Sequence, residues 1–586
     1  MASLGEKAEL VGLVLALGAR AAARRVYALV RAPFDFAHRS PEKLLIAPHD
    51  LRTSDPTRAG EIYAGTFAFA NRAADVDGGS PFLVAAPSAD WAEALHGFGW
   101  LRHLRAADTT LARANGRALI DEWITLHGGT DRTAWRPEVV ARRLISWFCH
   151  APLILDGADK AFYRRFLRSI SRQTHRLDRL IAATPDGMPR LTAAIALCYA
   201  GLCLSGESRL LRSAAKALAT ELDRQILADG GHASRNPAAL VYALVDLLPL
   251  RQAFTARDLA PPQALNGAID RMMPMLRFFR HPDGEFAQFN GAGPTPADLV
   301  ATVLAYDDAR GAPVEDATHS GYQRLIAGDA VAIVDVGRPP PAALSDEAHA
   351  GCLSFEFSAD GDRVVVNCGA PRFGRADWAA AARATAAHST VVVGDSSSCA
   401  FAPAGLKRFI GTPVVSGPVE VAARRELSDR GARIVASHDG YLRRFGVVHE
   451  RSLQLSPDGR RLTGEDLFRA SGRPRRRDGD VKIAARFHLH PAVRASARQD
   501  GQGVLLALPG GAAWSFSAPG FAVELAESVS LSGSQGPRRA EQILIETSLG
   551  GAPKIAWSFE AVDEARPRSR RLPQAPTLFG APSSID

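Results

Sequence analysis

The sequence is poor in the features that place a protein quickly. No uninterrupted apolar stretch approaches the roughly 18 residues that span a bilayer. The nearest, residues 10–19, follows Glu6 and Glu9 and precedes Arg20, Arg24 and Arg25, a charge order that reads as an amphipathic helix rather than an export signal. Six cysteines (Cys149, Cys198, Cys203, Cys352, Cys368, Cys399) in 586 residues form no C-x-x-C pair and no dense framework. Neither a zinc ribbon nor a disulfide scaffold is indicated, and buried small hydrophobes are the plainer reading. No fixed repeat period recurs among the helical segments, which argues against a solenoid. The arginine run Arg473, Arg475, Arg476, Arg477 has no interleaved aromatics, so it reads as a solvated loop and not as a nucleic-acid patch.

What is present describes a globular protein of two to four domains, 46% hydrophobic and 23% charged. The net charge of +8 comes mostly from arginine. An arginine surface suits a polyanionic ligand, and equally the general surface of an Arg-rich proteome.

The texture changes along the chain. Residues 1–89 alternate a basic helix with Pro-rich loop and form a lead-in to a larger body. From 90 to about 315, apolar residues recur at three and four, as in 114–126, 139–153 and 191–204. Paired helices without a repeat period point to a closed toroid. Five of the eight tryptophans, Trp91, Trp100, Trp123, Trp135 and Trp147, fall here, either as core fillers or as sugar-stacking platforms. From 316 to 562, short alternating segments separated by Gly, Asp and Pro turns predict an antiparallel β-sandwich, and 563–586 reads as a flexible tail without core residues.

Three stretches could carry chemistry. Asp229-Gly230-Gly231-His232-Ala-Ser-Arg235-Asn236-Pro237 breaks one helix before the next, so His232 and Arg235 sit on a loop and can point into one cleft. His281-Pro-Asp283-Gly284-Glu-Phe286-Ala-Gln-Phe289-Asn290-Gly291 forms a second such loop. Arg383-Ala-Thr-Ala-Ala-His388-Ser389-Thr390-Val-Val-Val-Gly394 leads a histidine into a β-branched strand, at a strand entrance rather than inside a sheet. His438, Asp439, His488 and His490 in the β half are residue types that zinc accepts, and they are equally ordinary sandwich residues.

The Ala-His-Ser-Thr segment, the two loops and the order of a helical half before a β half resemble the heparinase II/III family of polysaccharide lyases. The resemblance implies an incomplete α/α toroid followed by a β-sandwich. It also implies β-elimination on a uronic-acid-containing, acidic polysaccharide or oligosaccharide, with no cofactor required and a structural zinc or calcium in some relatives. His232 and His388 are then the expected catalytic residues, and Arg235, Asn236 and Asn290 the expected substrate ligands. Related lyases draw a catalytic tyrosine from the region of the second loop, which here holds Phe286 and Phe289 instead. Two other readings stand beside the lyase. One is a glycoside hydrolase using carboxylates such as Asp229, Asp283 or Glu285. The other is a polysaccharide-binding protein without catalysis. The sequence leaves the compartment open between cytoplasm and cell envelope.

Overall fold

A computed structural model describes residues 4–31, 41–127, 132–306, 313–371, 376–471, 480–533 and 536–562. The arginine run at 473–477 and the tail at 563–586 lie outside them. Helices occupy the chain up to Ala305, apart from a small hairpin of Thr66–Phe69 with Arg72–Asp75. Strands follow from Asp316 to Ala561.

Local chemistry sets the helix starts. Proline opens Pro137–Cys149, where its missing N–H is no loss, and Asp159 caps Lys160–Leu180 by accepting from Phe162 N. Met188–Cys203 is the central helix, buried from Leu191 to Cys203, and it packs against Pro137–Cys149, Ser208–Gln225 and Ala238–Thr255. Among the described residues, Ala238–Thr255 alone is long and apolar enough to cross a membrane, and most of it is buried in this core. All five N-terminal tryptophans are buried there too, as core fillers.

Apart from the N-terminal hairpin and a short pairing of Ala400–Phe401 with Val414–Ser416, the described strands form two antiparallel sheets, of eight and nine strands. The eight-stranded sheet runs from Val421–Ser428 at one edge through Gly431–His438, Val447–Leu455, Arg461–Ala470 and Lys554–Ala561 to Ala513–Ser517, Gly503–Ala507 and Arg494–Ala497. Its partner is centred on Lys482–Leu489, which pairs with Arg538–Ser548, Asp362–Val366 and the short Val391–Val393. Phe355, Phe487, Phe516, Trp557 and Phe559 fill the space between the sheets.

Residues 330–335 carry the alternation expected of a half-buried strand, yet every residue of Ala330–Asp335 is buried. The reason is position. Val331 and Ile333 pack into the helical core, while Ala330, Ala332 and Val334 face the sandwich core. This strand and its neighbour Tyr322–Ala327 are therefore the wall on which the two halves meet.

The N-terminal helix Leu4–Arg31 also bridges both halves. Arg24 reaches Asp186 on the helical side at 3.4 Å, and Glu9 pairs with Arg443 of the sandwich at 2.7 Å.

Candidate functional site at the seam

The first loop is fixed to the sandwich before any ligand is considered. Asp229 accepts from Ser320 N at 2.6 Å and Ser320 Oγ at 3.0 Å. His232 then turns into a buried network. Gln225 spends its amide nitrogen on Gly187 O and Glu221, which leaves its oxygen facing His232 Nε2 at 3.1 Å, and Ser234 Oγ lies 2.7 Å from Nδ1. Both ring nitrogens are engaged, and burial holds the imidazole neutral with a pKa down to about 4.

Arg235, the expected carboxylate ligand, has a left-handed backbone (φ 61°) and lies across the ring of Tyr322 at 4.7 Å. A guanidinium has five N–H groups. Here Nε donates to Ser320 O, Nη1 to Gly337 O and Arg338 O, and Nη2 to Gly321 O and to Asp335 Oδ1 at 2.5 Å. Burial works against the charge, and the Asp335 carboxylate more than offsets it. All five N–H groups of Arg235, the expected substrate ligand, are thus engaged within the protein, clamping the helical half to the sandwich.

Asn290 is held by the same aspartate. Its Nδ2 donates to Asp335 Oδ2 at 3.0 Å and to Tyr322 Oη at 2.8 Å, and its Oδ1 accepts from His349 N at 3.4 Å. Tyr322 Oη donates to Arg235 O at 2.6 Å, and burial pushes its pKa up, so it stays a protonated structural phenol. Asn236 turns the chain into the next helix by accepting from Ala238 N at 2.9 Å, and its Nδ2 reaches Glu347 Oε2 at 3.3 Å. In the second loop Phe286 and Phe289 are core residues.

His388 stands where the 3-10 turn Thr385–Ala387 gives way to Val391–Val393. Its Nδ1 faces Ala384 O at 2.9 Å, an atom that only accepts, so Nδ1 carries the proton. Its Nε2 must then accept from His349 Nδ1 at 3.0 Å, and the rings meet edge to face. By this relay His349 Nε2 is the unprotonated end of the pair, and it takes no hydrogen bond among the described residues. Burial lowers both histidines; His388 and Arg383 lower His349 further, whereas Ala384 O, Asp335 and Glu356 work against burial at His388, which still falls to about 4. Gly351 supports the arrangement, since a Cβ there would come within 2.8 Å of His388 Cδ2.

Arg235, Asn290 and His388 thus join one network through Asp335, Tyr322 and His349. Asn236 reaches Glu347 and, through its N–H, Ser234 Oγ, so it sits with His232 in a second network whose side chains make no hydrogen bond to His388. His349, Asp335 and Glu347 were not picked out from sequence. His349 lies three residues before Cys352, at the entrance to the strand pair, and only the turn of the chain brings it to His388.

A cleft of about 410 Å³ lies beside this cluster, lined by His232, Asp346 and Glu347 and closed on one side by Leu17, Arg20 and Arg24 of the N-terminal helix. Burial raises both carboxyls above their ordinary values.

The metal candidates do not converge. His438 lies against His449, whose Nε2 binds Asp466 at 2.7 Å, and Asp439 accepts from Val419 N and Glu420 N. His488 binds Ser528 Oγ and Ala386 O, and His490 receives Ala492 N. Among the described residues no group of three His, Cys, Asp or Glu side chains is placed to hold a metal. The carboxylates of the hydrolase reading are dispersed as well: Asp229 binds Ser320, and Asp283 binds Arg363 at 2.7 Å.

A helical half seamed to a two-sheet sandwich, with a histidine at the strand entrance, defines the polysaccharide-lyase type of α/α toroid protein. Comparison supports this. The fold matches a heparinase III structure with a TM-score of 0.69 at 14% identity, covering 91% of this chain and 89% of the other. It also matches a mutant of heparan sulfate lyase HepC from Pedobacter heparinus with a TM-score of 0.61 at 15% identity, covering 93% and 89%. Residues 309–558 match the model of the heparinase II/III-like C-terminal domain. Over 534 residues the chain is 35% identical to FtsZ-localized protein C of Caulobacter vibrioides (strain NA1000 / CB15N), covering 89% of this chain and 90% of the relative. The chain belongs to the heparinase II/III-like family.

Proposed function

We propose that this protein uses the lyase fold for binding rather than for β-elimination, and that it acts with FtsZ, as the name of its 35%-identical relative suggests. The observation that carries the first half is the saturation of Arg235. Elimination at a uronate removes a proton α to a carboxylate, and that step needs a cation or strong donor to neutralise the carboxylate as charge develops. The arginine on the loop is spent on the seam, Tyr322 is locked as a donor, and the neighbouring cleft presents Asp346 and Glu347. Arg20 and Arg24 in that cleft are matched by Asp186, Asp346 and Glu347, so it offers a polyuronate no surplus of positive charge.

The FtsZ half is tested by co-sedimentation. The purified full chain should pellet with FtsZ polymers formed with GTP and stay in the supernatant without them. Equal recovery in both supernatants would remove this half and leave the binding reading of the fold without its partner.

A second reading keeps catalysis, and one observation favours it. His349 Nε2 is a neutral acceptor backed by His388, the arrangement a general base requires. On this reading His349 would take the C5 proton of an acidic polysaccharide and Asn236 would hold its carboxylate. Activity on a uronate polymer, lost in His349→Ala, would establish it.

A further inference from the structure

A second cavity, of about 730 Å³, opens on the seam with none of the residues of the histidine network in its lining. That volume falls in the range of small-molecule sites. Its walls come from both halves. The second loop and the start of helix Ala297–Ala305 supply Gln288, Thr295 and Ala297, and the sandwich supplies Arg363, His490, Arg538 and Arg539. Glu285 is the only carboxylate among the lining residues.

The donors here are less committed than those of Arg235. Gln288 is 8% exposed, yet its side-chain amide makes no hydrogen bond among the described residues, and its backbone N–H alone is bound, to Glu356. Its amide lines the cavity with polar atoms open to solvent, where a ligand can bond them. Gly369 (φ 71°) leaves room for it, since a Cβ at that position would come within 2.5 Å of Gln288 Oε1. Arg538 has no ion pair among the described residues. Arg363 is oriented by Asp283, which takes its Nε at 2.7 Å. Prolines 294, 296, 371, 491 and 537 stiffen the rim.

We propose that this cavity binds a small organic phosphate, its phosphate group held by Arg363 and Arg538, with Gln288 donating from the floor and the organic body filling the rest. The guanidinium forks and the Gln288 amide present donors from several directions, and a tetrahedral dianion offers acceptors to all of them where a planar carboxylate does not. The cavity is also far larger than an inorganic ion needs. This inference does not depend on the function proposed above.

Calorimetric titration of the full chain with glucose 6-phosphate, inorganic phosphate, sulfate and glucuronate, at matched ionic strength, tests it. Glucose 6-phosphate should bind more tightly than the two inorganic ions, with glucuronate weaker than any phosphate. Arg538→Ala should weaken binding by about tenfold or more, the usual worth of a charged hydrogen bond. Because Arg538 is exposed, its thermal midpoint without ligand should be unchanged. Gln288→Leu should also weaken binding; if it fails to fold, Arg538→Ala still decides. No heat with any phosphate, affinity unchanged in Arg538→Ala, tighter binding of glucuronate, or sulfate matching glucose 6-phosphate would each overturn the proposal.

Discussion

Arg235 and Arg451 are both buried, both paired with an aspartate and both bonded to main-chain carbonyls, but they serve different parts of the molecule. Inside the sandwich, Arg451 grips Asp466 with two nitrogens, at 2.7 and 3.0 Å, and donates to Leu353 O and Ser389 O. His449 and Trp557 share the same carboxylate. At the seam, Arg235 makes one contact to Asp335 and four to carbonyls that lie 85 to 103 positions away in the chain. The first is a self-contained polar core beneath the loop that carries His388. The second joins two halves. An arginine on a Gly-broken loop is therefore no evidence of a substrate ligand until its acceptors are known.

Removing each arginine system should separate the two roles. Arg235→Leu leaves the Asp335 charge and four carbonyls without their partner, so its cost should lie at the upper end of the roughly 3–5 kcal/mol expected for breaking a buried pair. Urea unfolding measures the total, and hydrogen exchange should rise first at residues 317–337. Asp466→Asn keeps part of the hydrogen bonding and should cost about 3 kcal/mol, with exchange at the seam unchanged. If both variants loosened the same segments, the two systems would be one.

Acid should act on the seam more gradually. His232 and His388 have pKa values held down to about 4 by burial, below the ordinary 6.5. A histidine depressed in the folded state contributes full stability above the unfolded value and loses it as pH falls toward the folded one. Each should therefore cost about 2 kcal/mol between pH 6.5 and 5. His388→Gln should flatten the stability profile over that window by the same amount. Asp466, held well below the carboxylate range chiefly by Arg451 against its own burial, adds stability that persists above the ordinary carboxylate range and is lost only in stronger acid. The smallest effect belongs to the exposed Glu9–Arg443 pair, where Arg443→Ala should change stability by no more than about 0.5 kcal/mol and less in high salt.

The periodicities of 3.6 and 2 made the order of helical half and sandwich legible, because burial on one face leaves that imprint on sequence. The strand Ala330–Asp335 shows in the alternation of its residues, but not its burial on both sides, since its two faces serve two cores. At the site, the Ala-His-Ser-Thr segment led to His388, and the break loop led to Arg235 and Asn236. His349 was missed because its partner lies 39 residues on, and Asp335 because a strand-end aspartate carries no local signal. The role of Arg235 was not legible at all, because backbone carbonyls have no residue identity.

Incubation of the full chain with a panel of uronate polymers, followed at the absorbance of the unsaturated product, tests the central claim most directly. With Arg235 locked into the seam and Tyr322 held as a protonated phenol, no absorbance should develop on any member of the panel. Growth of that signal, abolished in His349→Ala or His388→Ala, would contradict the account and make the histidine pair an elimination centre.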